Sequence, residues 1–400
     1  MMNFTLTEEQ KSLQDLCRDF CERHLKPVAA ELDRKAADNP GGCFPWDALK
    51  EFSSLGLKNL PLPEGHGGAD MGVLTHCVLL EELAAGEAGF AAAIHQSWKL
   101  TGLLLKCGTE GQIAKYIPKY ANDGTCLVAD GTDTVTSGSA GVLAQRGAEG
   151  GSRVSAVREG AGWVLNGTKR FMACGGIGAI FFVEAGTDGR VPDSEGVVGV
   201  IVTKDVPGFR IGRADDKMGA RLRADAEVIF DRCRVPDADV LYGGEGNGAG
   251  ARERYFASIS PAAGALAVGI ARAAFEDGIE YAGTRIQGGK PIVEHDAVRF
   301  RIAEMAAELE TARALIWRTA WHADHDPDFD PKMGLAATLF ASEMAPRVCD
   351  SAVQIHGGYG YMREYPVEKH WRDSLMCYTI HGMDDITRLK IGRLLNTERI

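Results

Sequence analysis

Between Gln354 and Asp373 the chain reads QIHGGYGYMREYPVEKHWRD, its densest run of glycine, aromatic and charged residues. Glycines at 357, 358 and 360 permit close backbone approach to a ligand, and Gln354 and Arg372 are able to hold polar groups. A helix–helix turn with packing aromatics explains one Gly-Gly pair but not the whole block. His322 and His325, near Asp324, Asp326, Asp328 and Asp330, come nearest to a metal set. Their spacing matches no strong metal signature, and a polar helix end accounts for them. GxSxG and GxxxxGK[ST] are absent, and GGEGNG from Gly243 to Gly248 lacks the strand–turn–helix context of a dinucleotide fingerprint. Hydrolase, nucleoside-triphosphate and dinucleotide motifs therefore offer nothing.

The elements that must position this block divide into three stretches. From Thr7 to about Tyr120 apolar residues recur at helical spacing, as in Leu13, Leu16, Cys17 and Phe20, with breaks expected at Pro27, Pro45 and PLPEGHGGAD. Between about Gly124 and Tyr242 short β-rich runs such as GWVLNG, AIFFVEA, VVGVIV and AEVIFDRCRV suit an antiparallel sheet or small barrel. The Gly-rich pieces ANDGTC, TSGSAG, RGAEGG and YGGEGNGAG read as loops at its edges. From about Arg252 the helical period returns to the end of the chain. The expected domains are 1–123 (helical), 124–243 (β) and 244–400 (helical bundle), an α+β chain.

The 400 residues exceed one small core, and 25% charged with 45% apolar residues is ordinary for a globular protein. Forty-four basic against fifty-five acidic residues give a net charge of −11, which repels a phosphate backbone or an anionic membrane. Nucleic acid is excluded as an expected partner. The ten cysteines are scattered without a Cys-x-x-Cys and read as reduced thiols in a cytosol. No N-terminal basic and apolar signal is seen, nor an apolar window long enough to span a membrane, so a cytoplasmic location with no membrane contact is expected.

Taken together, FTLTEEQ, LPLPEGHGGAD, CGTEGQ, GWVLNGTKRFMACGG, GFRIGRADDKMGAR, VIFDRCRVPDADVLYG, RIQGGKPIVEH and QIHGGYGY resemble, in order and spacing, the acyl-CoA dehydrogenase family from end to end. The resemblance implies a helical N-terminal domain, a central β domain and a C-terminal four-helix bundle, with FAD bound between the last two. It also implies a CoA thioester substrate, an electron-transfer flavoprotein or similar acceptor, and a homo-oligomer, either a dimer or a tetramer of dimers. Carried over position by position, Arg285, Gln354, Gly357 and Gly358 reach the diphosphate and adenosine of a neighbouring subunit's FAD. Arginine suits a diphosphate by its permanent charge and planar fork, glycine by its exposed backbone N–H. Val128 and Ala129, then Phe171, Met172 and Ala173, occupy the two segments that border the flavin, and Met383 and Asp385 the C-terminal segment.

Several positions depart from the family pattern. The usual glutamate base falls, without gaps, on His381 in Ile380, His381, Gly382, Met383, and the alternative base position falls on Ile259. Two flavin-side threonines are Ala129 and Ala173, the phenylalanine after the arginine turn is Gly288, and an arginine expected near the CoA is Ser260. His381 is the expected catalytic base, since neutral imidazole accepts a proton near physiological pH. Asp130, Asp133, His95 and Asp384 are the alternatives. The resulting expectation is FAD-dependent α,β-dehydrogenation of a branched, cyclic or aromatic acyl-CoA. A flavin monooxygenase on the same fold, or a non-catalytic subunit of a heteromeric enzyme, are the competing readings.

Overall fold

Thr7 and Thr109 each open a helix with a capping box. The Gln10 and Gln112 backbone N–H groups donate to the threonine hydroxyls at 3.1 and 3.3 Å, and the glutamine side chains accept from the threonine N–H groups. These begin α1 (Glu8–Phe20) and α6 (Glu110–Asn122). The computed structural model describes residues 5–132, 153–187, 197–243, 248–379 and 384–397. Asp133, Ile380, His381, Gly382 and Met383, and the TSGSAG and RGAEGG pieces, lie outside the described residues.

Pro27 does not break the first helical run. A single π-helical turn, Cys21–Leu25, carries α1 into α2 (Lys26–Asp38), and Pro27 sits in the first turn of α2, where no N–H is required. Pro45 instead precedes α3 (Trp46–Ser54) directly. Two buried helices follow, α4 (Val73–Gly86) and α5 (Ala88–Cys107). The carboxylate of Asp324, far along the chain, accepts from the N–H groups of Val73 and Leu74 at 2.6 and 2.9 Å and caps α4 across domains.

The β unit contains β1 (Val128–Gly131), β2 (Arg153–Arg158), β3 (Gly162–Met172), β4 (Ile180–Gly186), β5 (Val197–Thr203), β6 (Phe209–Ala214), β7 (Ala226–Pro236) and β8 (Val240–Gly243). Their order is β6-β7-β3-β2-β4-β5-β8, with β1 pairing parallel to β4. The sheet is antiparallel apart from that pair and the β2–β4 contact at Ser155 and Gly186. Register shifts between β3 and β7 at Leu165/Gly167 and at Lys169/Met172 bend the end of β3.

The C-terminal unit is built on α7 (Gly248–Thr284), α8 (Asp296–His325) and α9 (Pro331–His356), with α10 (Val367–Ser374) and α11 (Asp384–Thr397) packed on α9. A short hairpin of β9 (Ile286–Gln287) and β10 (Lys290–Pro291) joins α7 to α8. The last glycines of YGGEGNGAG belong to α7 rather than to a loop. By length and composition α7 does qualify to cross a membrane, contrary to the sequence expectation. Its apolar character is accounted for by burial, because α4, α8 and α9 surround it. Gly269 shows how tightly: a Cβ there would stand 2.4 Å from the Glu81 carbonyl oxygen of α4.

Buried charges fasten the N-terminal helices to this bundle. Glu82 of α4 accepts from both Nη atoms of Arg272 at 2.9 and 2.7 Å, from Arg18 Nη2 at 2.9 Å and from Gln14 at 2.8 Å. Glu81 accepts from Arg313 of α8 at 2.8 Å. Lys369 of α10 donates to Glu87 at 2.8 Å, and Asp373 accepts from the Ala220 N–H of the β unit at 2.7 Å, which joins all three units. All ten cysteines are free.

Candidate functional site

Two of the expected flavin segments meet at the sheet. Val128 and Ala129, fully buried, pair with Ile180 and Phe181, and the next residue of β1, Asp130, donates its N–H to the Ala173 carbonyl at 3.0 Å. Met172 is buried beside them, whereas Phe171, at a left-handed φ of 55°, turns outward and is 73% exposed. The bulge at Lys169/Met172 produces that reversal of facing. The Cys174 N–H then donates to Asp225 Oδ1 at 3.2 Å. Burial raises the Asp225 carboxyl, but Arg223 and Lys217 outweigh it and hold the group at about 2. Ala173 is thus fixed on one side by β1 and on the next residue by a charged anchor.

Helices α5 and α7 close over the same strand end. Ser97 Oγ accepts from the Val128 N–H at 3.0 Å. Lys99 forms a buried ion pair with Asp130 and lies 5.5 Å from the Phe256 ring centre, while Tyr255 Oη donates to the Lys99 carbonyl at 2.8 Å. Arg252 pairs with Glu184 of β4 at 2.5 Å and donates to the Thr132 carbonyl at 2.9 Å. Tyr242 Oη donates to Glu184 at 2.7 Å. The positions of these charges escape sequence reasoning; their only signal is Lys99 inside the apolar run SWKLTGLLL.

The alternative bases fare unequally. Asp130 accepts from the Thr132 N–H and hydroxyl with one oxygen, at 2.9 and 2.7 Å, and from Lys99 with the other. Burial raises its carboxyl, yet Lys99 and Thr132 hold it at about 2, so it is a poor proton acceptor. His95 is buried, its ring 5.6 Å from that of His76. Asp384 accepts from Ser342 Oγ with both oxygens at 2.9 Å, and burial lifts it to about 6. Ile259 is packed in the core, and Ser260 turns back onto the Ala257 carbonyl of its own helix at 2.8 Å.

A second locus gathers Arg285, Gln354, Gly357 and Gly358. The Arg285 guanidinium stacks 5.3 Å from the Tyr359 ring centre, which brings the α7 end and the α9 end together. Gln354, Gly357 and Gly358 are exposed, Gly357 takes a φ of 59°, and no atom stands within 4 Å of a Cβ built on either glycine. A planar cation beside two open stretches of backbone fits a diphosphate. Ile286, next to Arg285 in the chain, and Tyr361, two residues after Tyr359, are 63% and 88% exposed. Asp385 is exposed and pairs with Arg388 at 2.7 Å. Arg372 does not join this locus: it is a structural cation, donating to Asp33 at 2.8 Å, to Glu368 and to the Met218 carbonyl. His325 Nδ1 donates to the Trp321 carbonyl at 2.8 Å, and among the described residues no cluster of His, Cys, Asp and Glu is placed to hold a metal.

Three family models match along the chain: the N-terminal domain of acyl-CoA dehydrogenase at residues 7–123, its middle domain at 144–233 and its C-terminal domain at 246–395. The chain belongs to the acyl-CoA dehydrogenase family. It is 34% identical to a probable acyl-CoA dehydrogenase of Bacillus subtilis (strain 168), over 98% of this chain and all (100%) of that one. It is 35% identical to the cyclohex-1-ene-1-carbonyl-CoA dehydrogenase of Geobacter metallireducens (strain ATCC 53774 / DSM 7210 / GS-15), over 98% of each chain. The solved butyryl-CoA dehydrogenase of Megasphaera elsdenii superposes with a TM-score of 0.88 at 31% identity, covering 98% of this chain and 100% of that one. This acyl-CoA dehydrogenase is accordingly a flavoprotein that takes FAD, an oxidoreductase acting on a CH–CH group, with the fold expected for its family.

Replacing Arg285 by alanine removes the cation that stacks on Tyr359. Purified Arg285→Ala protein should lose most of its FAD on gel filtration while keeping its wild-type helical circular dichroism. Full retention of the flavin would show that the diphosphate is held elsewhere.

Proposed function

We propose that this acyl-CoA dehydrogenase removes hydrogen from Cα and Cβ of a branched, cyclic or aromatic acyl-CoA, with His381 as the proton acceptor. The observation that carries the reading is the junction of β1 with the end of β3 at Asp130 and Ala173, roofed by α5 and α7. Bound FAD supplies the hydride acceptor at this junction. The chain's own residues do the rest.

Ala129 and Met172 are buried in one apolar cluster, with half-buried Ala173 beside them, and together they offer an apolar surface that excludes water. The carboxylates that remain near it, Asp130 and Glu184, are each neutralised by a buried cation and leave the proton to another group. Neutral imidazole is suited to that task, and His381 stands three residues before Asp384 at the start of α11. The Geobacter relative, named for a ring-bearing acyl-CoA, supports a bulky acyl group here.

The exposed Gln354, Gly357 and Gly358, with half-buried Arg285 beside them, support a homo-oligomer in which each subunit completes its neighbour's FAD site. An electron-transfer flavoprotein is the proposed electron acceptor. Anaerobic titration of the holoenzyme with straight, branched and cyclic acyl-CoA thioesters tests the reading: the oxidised-flavin absorbance should bleach with at least one branched or cyclic member, and the enoyl product should appear by mass spectrometry.

A further inference from the structure

Gln96 and Lys99 lie one turn apart on α5 and therefore share a face. Both are buried, at 3% and 6% exposure. Lys99 faces β1, through its pair with Asp130, and α7, through Phe256 and Tyr255. An ammonium group carries three donors, and the Asp130 carboxylate engages one of them. The Gln96 side-chain oxygen is buried with no hydrogen-bond partner among the described residues. Buried amide oxygens without partners are rare in native folds, because desolvation is then uncompensated. One buried face thus holds a spare acceptor and spare donors, beside the junction of the two flavin segments.

We propose that Gln96 and Lys99 form a specificity site for a hydroxyl group carried on the acyl chain, so that the preferred substrate is a hydroxyacyl thioester. This rests on the acyl-CoA reading given above. A hydroxyl oxygen accepts from Lys99 Nζ while its hydrogen goes to the Gln96 side-chain oxygen, which satisfies both at once. A carboxylate fits worse because it adds a negative charge to a cation that Asp130 already neutralises. A plain alkyl group or unsubstituted ring leaves both polar groups unpaired, the situation that sites built for a hydroxyl reject most strongly.

The test uses the FAD-loaded enzyme in anaerobic flavin-reduction assays with matched pairs of acyl-CoA thioesters. Each pair shares one carbon skeleton, with and without a hydroxyl, and the hydroxyl is moved along the chain beyond the β carbon. The expected result is a kcat/KM at least about tenfold higher for one hydroxylated member than for its plain partner, and collapse of that ratio to about one in Gln96→Leu. Gln96→Met, closer to glutamine in length, repeats the measurement if the leucine variant does not fold. The double variant Lys99→Met/Asp130→Asn removes the donors without stranding a buried charge, and should collapse the same ratio. If thioesters bleach the flavin but no hydroxylated chain is preferred, or if the ratio persists in the variants, the specificity site is overturned and the dehydrogenase reading stands. If no thioester of either kind bleaches the flavin, both are overturned.

Discussion

His381→Ala is expected to lower the rate of substrate-driven flavin reduction by about two to four orders of magnitude, the usual contribution of a general base. FAD content and oligomeric state should not change. Ile259 is apolar, Asp130 has both oxygens engaged and is held at about 2, and Glu184 is paired with Arg252 and Tyr242. Burial raises the carboxyl of Asp324, whose oxygens are engaged by the Val73 and Leu74 N–H groups, and that of Asp384, lifted to about 6 and sharing the Ser342 hydroxyl between its oxygens. Imidazole, with a reference pKa of about 6.5, must be neutral to accept the proton, so the rate should rise with pH through its ionisation and then level off. Stopped-flow reduction across pH checks this. A variant that reacts at the wild-type rate would remove the histidine from the chemistry.

Glu82→Ala should destabilise the fold by about 3–5 kcal/mol, because it strands the largely buried Arg272 and also frees Arg18. Denaturant unfolding reads the loss. The same carboxylate sets an acid limit. Burial raises its pKa, but the hydrogen bonds and charges of Arg272 and Arg18 overcome that and hold it at about 2, below the ordinary 4.5. A depressed folded-state value means that the contribution is fully present above 4.5 and disappears as pH falls from there towards 2. Wild-type stability should therefore fall more steeply than that of Glu82→Ala across this window. Parallel curves, or an unchanged midpoint in the variant, would show that Glu82 does not bind the N-terminal helices to the bundle.

The helix–sheet–helix order was legible because the amphipathic helices α1, α3 and α6 show a 3.6-residue apolar period, β7 alternates, and the core helices α4, α5 and α7 stand out as long apolar runs. Periodicity could not foretell that Pro27 would be harmless, since that depends on a π turn delivering it to the start of α2. The family resemblance assigns Arg285 and the Gln354 block to one FAD contact, and the stacking of Arg285 on Tyr359 is the link between them that no motif could show. Arg372 was misread for the opposite reason: its carboxylate partner Asp33 is 339 residues away, and no local pattern reveals a pairing of that range. The same holds for Lys99 with Asp130 and Arg252 with Glu184. Each is a buried pair whose members come from different units: Lys99 inside an apolar run marks a buried charge, but nothing near it in the chain names its partner.

The central claim is that the junction of β1 and β3 under α5 and α7 oxidises a CoA thioester. Anaerobic titration of the purified holoenzyme with the panel of acyl-CoA thioesters tests it most directly. The account predicts bleaching of the oxidised-flavin absorbance by a branched or cyclic thioester, with one enoyl product formed per flavin reduced. A fully loaded flavin that no thioester bleaches, in a protein that oxidises an organic substrate only when a reductant and oxygen are supplied, would contradict the account and make the chain an oxygenase on this fold.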